Sequence, residues 1–188
     1  MPSLDREIFD SLEFDAAASG DHAAAAREMT RLATIGTETS AMPRAEAYLR
    51  AGDQWLLADE PAEAADLFRR AQADGGPVSV DPRVGLARAL FQIGCQGDAQ
   101  DLMSGLKTEG SADPRTCDLA AELLVDSGDL AGALEWATTG VDLCLAADRD
   151  DEHSEENPEL RLLLRLRYRI RNDLGLPEDG YDALLDQS

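Results

Sequence analysis

Small and apolar residues recur every three or four positions along most of the chain, the period of helices that bury one face. The clearest stretch runs from Ala45 to Ala71 and predicts a helical hairpin. Tyr48, Ala51, Gly52 and Trp55 share one helical face, and Ala64, Phe68 and Ala71 share another. Asp59, Glu60 and Pro61 supply the turn between them. Small residues beside bulky ones suit two closely packed helices. Gly52 and Ala64 let the backbones approach, while Trp55 and Phe68 fill the adjoining space.

The same pattern predicts helices before and after this hairpin. Leu4 to Ala18 reads as a helix with Ile8, Phe9, Leu12 and Ala16 on one face, ended by Gly20 and Asp21. A second carries Ala25, Met29 and Leu32. Turn-rich segments, Gly36 to Pro43 and Asp74 to Pro77, flank the hairpin. Asp81-Pro82 and Asp113-Pro114 each place an N-cap aspartate before a proline at the first helical position, where the missing N–H costs nothing. The first leads a helix through Val84, Leu86, Ala87 and Leu90 to Gly94, with a partner through Ala99, Leu102, Met103 and Leu106. The second leads a helix through Leu119, Ala120, Leu123 and Leu124 to Gly128, with a partner through Leu130, Ala133, Leu134, Ala137 and Val141. An acidic loop is expected over Asp148 to Glu156. Asn157-Pro158 then starts a last helix to about Asp173, stopped by Gly175 and Pro177. Its LRLRYRIR segment alternates with period two, but the caps at both ends and the lack of any strand to pair with favour a helix. Arg167 and Arg171 fall within its apolar arc, so each needs an acidic partner or a route to water. Tyr181, Leu184 and Leu185 form a short final segment able to fold back.

The second helices of the pairs align on Ala25, Ala64, Ala99 and Ala133, which lie 39, 35 and 34 residues apart. Met29, Phe68, Met103 and Ala137 follow four positions later in each copy. Such a period marks stacked hairpins, each too small to bury its own apolar face. In Ala51-Gly52, Trp55, Ala64, Phe68, Ala71 and Pro77 the chain resembles the tetratricopeptide repeat (TPR) family. Leu86-Ala87, Leu90, Gly94 and Ala99, and then Ala120-Ala121, Leu124, Gly128 and Ala133, extend the likeness. The first copy holds Leu12, Gly20, Ala25 and Met29 but has Glu13 where a small residue is usual. The resemblance implies an all-α fold, a right-handed α-solenoid of about four TPR-like hairpins over residues 4–145. An acidic linker over 146–157 and a C-terminal capping helix and tail over 158–188 would complete it.

The resemblance also implies a concave groove lined by the first helix of each pair, holding a partner peptide or helix. Its partner-binding residues would be Leu49, Asp53 and Leu56, then Val84, Arg88 and Phe91, then Asp118, Glu122 and Val125. The family's clamp for a C-terminal carboxylate uses Lys, Arg and Asn at such positions. Only Arg88 and Arg115 stand near here, which points away from that adaptor role. An extended or helical ligand with basic and apolar side chains suits this acidic and apolar surface better. The alternative for Leu56 and Phe91 is plain packing inside the array.

Composition narrows the partners. The chain has 188 residues and a formal net charge of -21, which repels a phosphate backbone or an anionic membrane, so neither nucleic acid nor a membrane is expected. Another protein, basic or basic and apolar, is the expected partner. A second reading of the same charge is an acidic decoy or inhibitor of a basic nucleic-acid-binding protein, and a third is solubility alone. Lys107 is the sole lysine, an arginine bias that fits a GC-rich genome. Cys95, Cys117 and Cys144 lack metal-ligand spacing and read as reduced, partly buried thiols. The acidic first residues have no basic start or apolar core, and no apolar run reaches membrane-spanning length, so a cytoplasmic location is expected.

Little in the sequence points to catalysis. His22 and His153 have no neighbouring nucleophile, and no GxSxG, P-loop or GxGxxG motif occurs. Asp148, Asp150, Glu152, Ser154, Glu156 and Glu159 stand at EF-hand-like intervals. However, His153 replaces the glycine of the sharp turn and Pro158 precedes the last carboxylate, which favours a solvated linker. Trp136 and Cys144 are expected to pack beneath the last helix. The stripe of Arg161, Arg165 and Arg169 is expected to be neutralised by the protein's own acids. The chain therefore reads as a non-enzymatic binding module with no cofactor and no metal ion.

Overall fold

The computed structural model describes residues 4–39, 41–150 and 157–187, and among them the regular structure is helical, with no strand. Two compact units, Met1–Leu106 and Lys107–Ser188, divide the chain. The first contains α1 (Arg6–Ser19), α2 (His22–Ile35), α3 (Arg44–Leu57), α4 (Pro61–Asp74), α5 (Pro82–Ile93) and most of α6 (Gln96–Glu109). The second holds α7 (Pro114–Ser127), α8 (Leu130–Asp150), α9 (Pro158–Asp173) and a 3-10 turn (Asp182–Gln187). Within the first unit α1 to α5 pack successively on one another, and α3 also meets α5. Within the second, α7 packs on α8, α8 on α9, and α7 also meets α9. This packing of neighbours in chain order is consistent with an α-solenoid.

The helix ends follow the local chemistry read from the sequence. Asp81 accepts a hydrogen bond from the Arg83 amide, and Asp113 accepts one from Thr116, each just before a proline at the first helical position. Gly20, Gly94 and Gly128 end α1, α5 and α7 in the left-handed region that a side chain resists. Two boundaries differ from expectation. Leu4 lies outside α1, because Asp5 is the cap and accepts from the Glu7 amide. Asp148 to Asp150 continue α8 and do not begin the expected acidic loop, since no glycine or proline interrupts the helix there. Glu152, Ser154 and Glu156 of the EF-hand-like series, and His153, lie outside the described residues.

The core of the first unit is built around close backbone approach. A Cβ added to Gly52 on α3 would lie 2.8 Å from the Phe68 ring, and one added to Gly85 on α5 would lie 2.5 Å from it. The fully buried ring of Phe68 on α4 thus rests against the bare backbone of two other helices. In the second unit Gly140 on α8 has the same role. A Cβ there would come within 2.8 Å of Leu163 on α9 and 2.9 Å of Cys117 on α7.

The eight-residue segment between α2 and α3 is itself packed into the core of the first unit through Met42. That residue is fully buried, and the segment bridges Thr39 to Met42. It also holds Leu4. The Leu4 amide donates to the Thr37 carbonyl at 2.7 Å, and Thr39 Oγ1 donates to the Leu4 carbonyl at 3.0 Å. Leu4 and Met42 join Phe9, Met29 and Leu67 in one cluster. Arg44 crosses this segment and donates to the Gly36 carbonyl at 2.8 Å and to that of Ala33, satisfying acceptors at the end of α2.

Two substitutions test this packing. Gly85→Ala is expected to destabilise the protein by about 1–3 kcal/mol through overpacking against a rigid ring. Phe68→Ala is expected to cost about 3–5 kcal/mol through the cavity it leaves. Urea unfolding followed by circular dichroism measures both, and an unchanged midpoint for Gly85→Ala contradicts the assigned contact.

Candidate functional site

The expected partner-binding residues fall on helices of both units. In the first, Leu49 and Val84 are buried, at 5% and 3% exposure, and so present little side chain to a partner. Leu56, Arg88 and Phe91 are partly buried, and Asp53 is exposed. These four lie on α3 and α5, which pack against each other, while Leu57 and Ile93 in the last turns of the two helices are exposed apolar residues. In the second unit Asp118 and Val125 are partly buried and Glu122 is exposed, all on α7.

The helix carrying Leu49, Asp53 and Leu56 is fixed by polar contacts on its other sides. Arg50 donates to both carboxylate oxygens of Glu13, at 2.7 and 2.6 Å, and to Asp10 at 2.6 Å, while its guanidinium lies 5.6 Å from the centre of the Phe9 ring. Its side chain is only 13% exposed, so the bidentate pairing is shielded from solvent in a way that surface pairs are not. Desolvation works to lower the Arg50 pKa, yet the bonds it donates to Glu13 and Asp10 raise it overall. Glu13, the residue out of place in the repeat pattern, thus has a partner that the pattern does not show. Trp55 Nε1 donates to Thr30 at 3.1 Å, and the His22 ring meets Gln54 at 2.9 Å. The buried Glu46 accepts from the Ser79 amide and hydroxyl at 2.7 and 3.0 Å, which ties the segment before α5 to α3.

On α7, Asp118 sits in a cleft lined also by Arg115, Leu119, Glu159 and Leu162, about 230 Å³ in volume. That is below the roughly 300–1,000 Å³ of common small-molecule sites. Burial, and then the negative charge of Glu122, push the Asp118 carboxyl above the usual aspartate range. Arg115 opposes the shift and Glu159 adds to it. Cys117 beside it is buried, and desolvation first, with Asp113 and Cys144 next, pushes its thiol up to about 12. Cys144 is buried as well, among Val141, Leu163 and Leu164, and Trp136 is buried, whereas Cys95 is exposed.

The two arginines flagged on α9 find acidic partners beyond the helix. Arg167 donates to Asp179 through two nitrogens, at 3.0 and 2.6 Å, and to Thr138 at 3.0 Å, and stacks 4.3 Å from the centre of the Tyr181 ring. Arg171 pairs with Asp179 at 2.8 Å. The Arg167 hydrogen bond holds the Asp179 carboxyl below its ordinary range. Asp179 and Asp182 are the residues that periodicity missed, because they follow α9 and belong to no α-helical face. The residues expected to form the arginine stripe differ in exposure: Arg161 is partly buried, and Arg165 and Arg169 are exposed.

Among the described residues no group of His, Cys, Asp and Glu is placed to hold a metal ion, and no helix is long and apolar enough to cross a membrane. The chain matches no protein-family model, no curated protein and no solved structure.

Two outcomes follow from these environments. Because Asp118 binds its proton more tightly folded than unfolded, stability falls as pH rises from its unfolded value near 3.8 through the raised folded value. Asp118→Asn should therefore raise the melting temperature at pH 7, and the gain should vanish as pH drops below 3.8. A lower melting temperature at pH 7 contradicts that account. For the thiols, a chromogenic disulfide reagent at pH 8 should titrate Cys95 alone in the native state and all three cysteines in denaturant.

Proposed function

We propose that the chain is a non-enzymatic protein-binding module built from TPR-like hairpins. Its partner presents basic and apolar side chains to the face formed by Asp53 and Leu56 of α3 and Arg88 and Phe91 of α5. One observation carries this reading. Half-buried Leu56 and Phe91 stand on two packed helices next to an exposed carboxylate, in a chain of net charge -21. Such residues offer apolar contact area together with a charge that selects the partner. Leu49 and Val84, from the same expected set, are the packing beneath that face. Asp118, Glu122 and Val125 give α7 of the second unit a surface of the same character. The hairpin period and the seating of Phe68 against glycines on α3 and α5 support the TPR-like description.

The net charge favours one further reading, in which the acidic surface as a whole captures a basic nucleic-acid-binding protein. A selection of random displayed peptides on the full chain separates the two. Under the groove reading, the enriched peptides are basic and apolar, survive a wash at about 0.5 M salt, and lose at least about tenfold in affinity to the Leu56→Ser, Phe91→Ser double variant. Peptides that bind the double variant undiminished overturn the groove. If they also wash off with salt, the charge reading stands in its place.

A further inference from the structure

The segment after α9 is held by a set of contacts that resembles a ligand in a site. The backbone reverses at Leu174 to Pro177, with Gly175 at φ +67°, and returns along α8 and α9. Tyr181, Leu184 and Leu185 then pack on the apolar cluster of Val141, Cys144, Leu163 and Leu164. At one end of this contact Arg167, only 5% exposed, grips Asp179 with two nitrogens and has Asp182 at 3.6 Å. Arg171 pairs with Asp179 and also donates to the Pro177 carbonyl, and the Tyr181 hydroxyl donates to Asp142 at 2.6 Å. The grip is incomplete. The Nε of Arg171 is buried without a hydrogen-bond acceptor, its nearest carboxylate oxygen being that of Asp182 at 3.5 Å. A buried donor left unmade is costly, and an occupant able to satisfy it would fit better than the segment does.

We propose that the groove between α8 and α9 is a peptide-binding site which residues 177–185 of the chain itself fill as an internal ligand. Its external ligand is a protein segment of the same chemistry: two carboxylates flanking an aromatic ring, followed by a pair of aliphatic side chains. Two largely buried arginines beside an apolar cluster favour that choice, because a basic or wholly apolar segment laid there would leave both without their carboxylate partners. The internal segment is tethered by a four-residue turn, so it competes at a high effective concentration and the groove opens only to a ligand that outbids it. This site is separate from the α3 and α5 face, and either can fail without the other.

Two measurements on the full chain test the proposal. In native-state hydrogen exchange of the unaltered protein, the amides of 179–185 should exchange at least about a hundredfold faster than those of α8 and α9, because the segment opens without global unfolding. Exchange at the rate of the helices makes the segment an integral part of the core and overturns the proposal. In the second, a labelled synthetic peptide of residues 176–185 is titrated by fluorescence anisotropy. The Asp179→Asn, Asp182→Asn variant, whose own segment has lost its ion pairs, should bind it at least about tenfold more tightly than the unaltered chain. Adding Arg167→Gln should abolish that gain, and a peptide with scrambled order should not bind. Equal affinity for both proteins, indifference to Arg167→Gln, or loss of helical structure in the double Asn variant each overturns it.

Discussion

The packing of this protein depends on how closely three helices approach at one point. Phe68 is a rigid ring with no space around it, and it fits only because α3 and α5 each offer a residue without a side chain where the ring must lie. One aromatic on the second helix of a hairpin therefore sets the spacing to both the helix before it and the helix after it. Gly140 solves the same problem in the second unit with the roles reversed, the bare backbone lying on α8 and the bulk coming from Leu163 and Cys117 on its two neighbours. Dispersion and burial stabilise such contacts only at close range, so a single methyl group at these points is felt across three elements.

Charge is arranged around that apolar framework in two tiers. Four of the seventeen basic residues are committed to internal work: Arg50 joins α3 to α1, Arg44 satisfies the end of α2, and Arg167 and Arg171 receive the returning segment. Each is a guanidinium placed where several acceptors converge, a geometry that a lysine ammonium does not match. Acids outnumber bases by 38 to 17, so once these arginines are paired the excess negative charge remains for solvent and partners.

Much of the fold was legible because its punctuation is local. Asp-Pro starts, glycine stops and the spacing of small residues act within a few positions of where they are written, and the helices they predicted for Asp81-Pro82, Asp113-Pro114 and Asn157-Pro158 begin there. The period-two segment of α9 was settled by the same caps. What sequence reading missed is nonlocal. Gly85 looked unremarkable because its significance comes from a ring 17 positions away, on another helix. Glu13 looked like a flaw until Arg50 reached it from α3. Among the expected partner-binding residues, helical spacing groups Leu49 with Asp53 and Leu56 on α3. It could not tell how deeply each would sink, since burial depends on neighbours that spacing does not encode. Asp179 and Asp182 were invisible for the same reason: the need of Arg167 for an acid could be read, but not where that acid would come from.

The segment between α2 and α3 carries an implication for how such a chain could be lengthened or shortened. The joint between α4 and α5 is tied back to α3 through Ser79 and Glu46, and so depends on a residue of the hairpin it follows. The first hairpin is different, because its longer joint closes only with Leu4, a residue that precedes α1, bonded to Thr37 and Thr39. A copy of that hairpin inserted farther along would arrive with its joint open and an apolar pocket unfilled. Moving that hairpin intact therefore means moving the residues just before α1 with it.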